Sequence, residues 1–297
     1  MSAITLLDGG MGQELIHRAG DNPTPLWSTQ VMVDHPGMVR DIHADFFAAG
    51  ATIATTNTYA IHHDRLAKTA LKDQFSVLHM AALSEATTAR LAHGSGRIAG
   101  SIGPLSASYR PDLHPPKKQA VAAYSEIAAL LAPVVDLIIC ETVASCAHAD
   151  AILDAAATTG KPIWLAVTVD DTDGSKLRSG EAVSDVVSVA KGRASAILAN
   201  CSTPEVIPAA LVEFTAADMP FGAYANGFTK IADGFLEEDP TVDALTLRRD
   251  FTPDMYAAHA LKWVEQGATI IGGCCEVGPA HIAAIKHALE DAGHTIA

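Results

Sequence analysis

Along the chain, short apolar runs rich in β-branched residues alternate with longer Ala- and Leu-rich stretches in which apolar positions recur at helical spacing. The short runs, residues 4–7, 51–56, 97–102, 137–140, 163–169, 194–198, 221–224 and 269–271, predict eight strands. The longer stretches predict helices over 35–49, 76–93, 118–132, 147–159, 182–190, 205–215, 253–266 and 279–292. Pro279 suits a first helical turn, and Gly267 follows the helix it would end.

Strand followed by helix, eight times without a break in composition, predicts a single α/β domain over residues 1–297, a (β/α)8 TIM barrel. Each parallel strand needs a crossover that packs outside the sheet, and such barrels reach about 250 residues or more as one unit. The competing architecture is a doubly wound open sheet. It would usually carry a G-x-G-x-x-G turn after its first strand, and Asp8-Gly9-Gly10-Met11-Gly12 lacks that order. The polar or Pro-containing stretches 21–29 and 229–246 are expected as loops over the active face.

Charge and composition narrow the partners. With 20 Lys+Arg against 34 Asp+Glu in 297 residues, the formal charge of −14 repels nucleic acid and anionic membrane surfaces. Met1 to Gly10 has no basic region of the kind that opens a secretion signal, and no window offers the roughly 20 apolar residues of a membrane helix, so a cytoplasmic protein acting on small molecules is expected. An odd count of five cysteines in such a chain favours metal or catalytic thiols over a disulfide framework.

Where those cysteines fall matters most. Barrel active sites gather at the C-terminal ends of strands. Cys201 follows the sixth predicted strand, and Cys274-Cys275 follow the eighth after Gly272-Gly273, whose backbone freedom is expected to let both sulfurs turn to one point. Three thiolates there would make a zinc site with one open tetrahedral position. A vicinal disulfide or plain packing is the competing reading of the pair, and Cys140 and Cys146 read as small core hydrophobes.

Leu6-Leu7-Asp8-Gly9-Gly10-Met11-Gly12, Asn200-Cys201, and Gly272-Gly273-Cys274-Cys275 with Pro279 and His281-Ile282 beyond resemble the homocysteine S-methyltransferase family. Pro25-Leu26-Trp27-Ser28 and Cys140-Glu141-Thr142 fit in the same order, so the resemblance spans nearly the whole chain. It implies a zinc ion held by Cys201, Cys274 and Cys275, with Asp8 and Glu141 binding the ammonium of an amino-acid substrate. Gly9 and Gly10 would let backbone N–H groups approach its carboxylate; Thr55, Asn57 and Tyr59 would line the pocket; Asn200 would orient the site from behind.

The chemistry this implies is methyl transfer to homocysteine, giving methionine. The donor stays open among S-methylmethionine, S-adenosylmethionine and betaine-like compounds, with Trp27, Tyr59 or Phe228 as aromatic faces for its cation. Another thiol or selenol acceptor, or a non-catalytic barrel that stores metal or senses redox state, are the alternatives.

Overall fold

The structure, a computed structural model, describes residues 2–20, 26, 28–228, 248 and 251–297. It is a (β/α)8 barrel. Strands β1 (Ala3–Leu6), β2 (Ile53–Thr55), β3 (Arg97–Ile102), β4 (Leu137–Val143), β5 (Ile163–Val167), β6 (Ala196–Asn200), β7 (Phe221–Ala225) and β8 (Ile270–Gly273) occupy all eight predicted positions. All pair in parallel, in the order β2 through β8 and then β1. A parallel bridge between Leu7 and Ile53 closes the ring, with the Thr52 N–H donating to Leu6 O at 2.7 Å. Below that closure a short ninth strand, β9 (Thr295–Ile296), extends β1.

Strands covered on both faces must be apolar throughout, which is why β4, β5 and β6 are buried at every position. One face of each strand points into the barrel, where Ile53, Ala99, Leu137, Ile139, Trp164, Ala166, Leu198, Tyr224 and Ile270 pack together. The other face meets the helices: Cys140, one residue from Ile139, is fully buried in that outer layer with Tyr124 and Ile152. Period two therefore decides which polar residue looks inward. Glu141 continues the Leu137, Ile139 series, and Ser101 continues from Ala99.

Helices α3 (Met38–Ala49), α5 (Phe75–His93), α6 (Lys117–Leu131), α7 (Cys146–Ala157), α8 (Val183–Ala190), α9 (Ile207–Phe214), α10 (Pro253–Glu265) and α11 (Pro279–Asp291) form the outer ring where helices were expected. Side-chain caps set two of the starts. Ser145 Oγ accepts from the His148 N–H, and Thr252 Oγ1 accepts from Met255 N–H ahead of Pro253. Cys146 is half-buried at the first turn of α7.

Three helices were not expected: α1 (Met11–Ala19), α2 (Ser28–Asp34) and α4 (His63–Leu66). Helix α1 starts inside what reads as a glycine turn, and its apolar side is short: Met11, Leu15, Ile16 and Ala19. Ser28 and Thr29 belong to α2 and not to a loop, while 21–25, Trp27 and 229–247 lie outside the described residues. Among the described residues no helix is long and apolar enough to cross a membrane.

Candidate active site

Asp8, Thr55, Asn57, Tyr59, Glu141, Cys201, Cys274 and Cys275 all line one cavity of about 110 Å³ at the C-terminal mouth of the barrel. The eight parallel strands aim their C-terminal ends at this mouth, so residues more than 260 positions apart in sequence become neighbours there.

The Sγ atoms of Cys201, Cys274 and Cys275 lie within 4.8 Å of one another. Cys201 sits just past β6 in the left-handed region, φ 47°. Its carbonyl anchors the turn, accepting from Thr168 Oγ1 at 3.1 Å and from Arg178 Nη2 at 3.5 Å. Arg178 is in turn fixed by Asp171 at 2.9 Å, whose other oxygen accepts from Thr203 N–H. The backbone of Cys274 is tied to β7 through its N–H to Ala225 O at 2.9 Å.

The Cys201 and Cys274 sulfurs are in direct contact, with their Cα atoms 5.8 Å apart, a spacing that also admits a disulfide. One expectation about this cluster changes, because the glycines before the pair act differently. Neither Gly272 nor Gly273 has positive φ; a Cβ on Gly273 would sit 2.0 Å from Val277 Cγ1 and one on Gly272 2.5 Å from Leu7 Cβ. They are small so that the returning chain can pack, and the left-handed residues are Cys201 and Glu276.

Asp8 and Glu141 face the same cavity from different strands. Thr55 holds Asp8 twice, through N–H to Oδ2 at 2.6 Å and Oγ1 to Oδ1 at 2.7 Å. Glu141 accepts from Ser101 Oγ and, at 2.9 Å, from Tyr224 OH. Burial still wins over these bonds: Asp8 is raised to about 7, with the Glu141 charge adding to the effect, and Glu141 is raised as well. Two buried carboxylates in one cavity are stabilised by a nearby cation.

Gly10 departs from its expected use, because its N–H donates to Val277 O at 2.9 Å and a Cβ there would meet Cys274 O at 2.5 Å. Gly9 is equally confined, 2.0 Å from Val277 O by the same measure. Both let the first strand loop pass against the cysteine segment. Asn57 Nδ2 donates to Ser28 O, and Tyr59 OH bonds Ser108 Oγ at 2.8 Å. Asn200 does not line the cavity. It is fully buried beneath it, and its amide brackets Thr142, taking the N–H at 3.1 Å and donating to Oγ1 at 3.1 Å. Phe228 is fully buried and also outside the lining.

Sequence reasoning missed Ser101, Tyr224, Tyr109, Gln13 and Asn226. The first two stand on inward positions of β3 and β7, a period-two signal that was available. Gln13 was hidden with α1. Tyr109, at φ 63°, lines the cavity with the Arg178 guanidinium 5.4 Å from its ring centroid. Asn226, just past β7, is fully buried with neither side-chain amide atom hydrogen-bonded among the described residues, and its backbone N–H donates to Ser202 O beside Cys201.

Three sulfurs that meet within 4.8 Å of one another could hold a thiophilic metal ion. A (β/α)8 barrel with a three-cysteine cluster at its mouth is the class this fold and site define. The family model described as homocysteine S-methyltransferase matches residues 5–289, and the chain belongs to that family. It is 30% identical to the Escherichia coli homocysteine S-methyltransferase, over 95% of this chain and 94% of that one. Among solved structures it resembles the E. coli homocysteine methyltransferase MmuM in a metallated form, with TM-score 0.80 and 28% identity over 96% of each chain. An oxidized form of MmuM is equally similar, with TM-score 0.81 and 27% identity over 96% of this chain and 95% of that one.

Proposed function

We propose that this protein transfers a methyl group from a cationic donor to the sulfur of homocysteine, giving methionine. The observation that carries the reading is the meeting of Cys201, Cys274 and Cys275 within 4.8 Å, in the cavity that Asp8 and Glu141 also line. Reduced, the three sulfurs are a donor set suited to zinc, and burial, which pushes the Cys275 thiol up to about 12, means that a cation must be present to keep it ionised at neutral pH. When bound, zinc would supply deprotonation of the acceptor thiol and keep its sulfur electron-rich.

The rest falls to the chain. Asp8 and Glu141 take the acceptor's ammonium, with Thr55, Ser101 and Tyr224 fixing the two carboxylates in place. Tyr59 and Tyr109 wall the cavity, excluding water and offering aromatic faces to a sulfonium or quaternary ammonium. As the acceptor sulfur forms its bond to the methyl carbon, the donor's bond to that carbon breaks and the donor keeps the electron pair, leaving uncharged at its former cationic atom. The acceptor's thiol proton has already gone to solvent, so no side chain need act as general base during transfer.

A donor screen tests the reading. Reduced, zinc-loaded protein incubated with homocysteine and S-methylmethionine, S-adenosylmethionine or betaine should form methionine with at least one of them. Methyl transfer to other thiols or selenols in preference to homocysteine, or no transfer at all, would contradict it.

A further inference from the structure

Thr55 holds both oxygens of Asp8, and a polar ring stands next to the same carboxylate. His43, on α3, is fully buried with its Nδ1 4.0 Å from Asp8 Oδ2. Among the described residues neither Nδ1 nor Nε2 has a hydrogen-bond partner. Leaving two buried nitrogens unpaired is costly, and an apolar side chain in this buried place would not carry that cost. The ring is neutral, since burial pushes it down to about 3, so it carries one N–H to give.

We propose that His43 is a positioning residue for Asp8: its Nδ1–H closes the 4.0 Å gap and donates to Oδ2 when the acceptor's ammonium docks. This rests on the reading of Asp8 as an ammonium partner. A gap of this size is what such contacts show before the ligand arrives, and they tighten in the complex. With Thr55 on one side and His43 on the other, the carboxylate is held as an anion in one orientation, and the acceptor sulfur is placed at a fixed distance from the ammonium. The ring touches neither substrate nor sulfur ligands, so its removal weakens acceptor binding and leaves the transfer step intact.

Isosteres separate this role from packing. The amide of Asn overlays Nδ1 of His, whereas the amide of Gln overlays Nε2. Acceptor KM and kcat are measured for wild type, His43→Asn, His43→Gln and His43→Leu, with melting temperature and zinc content as folding controls. His43→Gln and His43→Leu should raise the homocysteine KM by about tenfold or more, with kcat within about threefold, and His43→Asn should restore a near wild-type KM. KM values unchanged in Gln and Leu, or raised equally in all three variants, overturn the proposal while the function stands. A wild type inactive toward homocysteine overturns both.

Discussion

Replacing Tyr224 with Phe removes one hydroxyl and leaves the ring that packs inside the barrel with Leu198 and Ile270. That hydroxyl donates to Glu141 Oε1 at 2.9 Å, and both groups are buried. A hydrogen bond to a charged group contributes about 1.5–3 kcal/mol, which corresponds to about one to two pH units in the carboxyl's titration. The sign follows from what the bond does. Burial already raises the Glu141 pKa, the Ser101 and Tyr224 bonds oppose that rise, and losing one lets the pKa climb further. At neutral pH fewer molecules then carry the anion that binds the acceptor's ammonium. Methionine formation, followed from pH 5 to 9 at varied homocysteine, should show KM raised by about ten- to a hundredfold, kcat near wild type, and the acid limb of kcat/KM moved to higher pH. An unchanged KM together with an unmoved acid limb would refute Glu141 as the ammonium partner.

Other perturbations probe the frame around the cavity. Arg178→Ala takes the cation from part-buried Asp171 and a donor from Cys201 O; stability should fall by about 1–3 kcal/mol, and dialysis should strip metal faster than from wild type. Gly10→Ala drives a Cβ to 2.5 Å from Cys274 O and should cost about 1–3 kcal/mol in urea unfolding, with weakened metal retention. His79 is held down to about 4 by burial, so its unfolded form takes up a proton as pH falls below the unfolded value of 6.5 while the folded form does not. Stability is therefore lost through that window: between pH 7.5 and 5 wild type should lose about 2 kcal/mol more than His79→Leu, and equal losses would contradict the assignment of a neutral buried ring.

Much of this arrangement is written in local patterns. Eight short runs rich in β-branched residues and eight helical stretches were enough to reach the barrel, and the barrel rule puts Cys201 and Cys274-Cys275 at one mouth. The same period separates Cys140, on the outer face, from Glu141, on the inner. Contacts that depend on three-dimensional closure were out of reach. Ser101 and Tyr224 meet Glu141 across 40 and 83 residues, and His43 reaches Asp8 only because α3 packs behind the first strand loop. Helices α1 and α2 escaped because Gly12 and the short apolar runs around 11–16 and 31–32 resemble loop composition. Composition alone likewise cannot say whether a glycine serves torsion or space, and at Gly272 and Gly273 it serves space.

The measurement closest to the central claim is metal content paired with turnover on the same samples. Protein purified under reducing conditions should hold about one zinc per chain and form methionine, whereas Cys201→Ala, Cys274→Ala and Cys275→Ala should each lose both properties while keeping the barrel's circular dichroism. Oxidation that joins Cys201 to Cys274 should likewise release the metal and stop turnover, with both restored by reductant and zinc. Methyl transfer to homocysteine by metal-free protein, or by any of the three folded variants at the wild-type rate, would contradict the account.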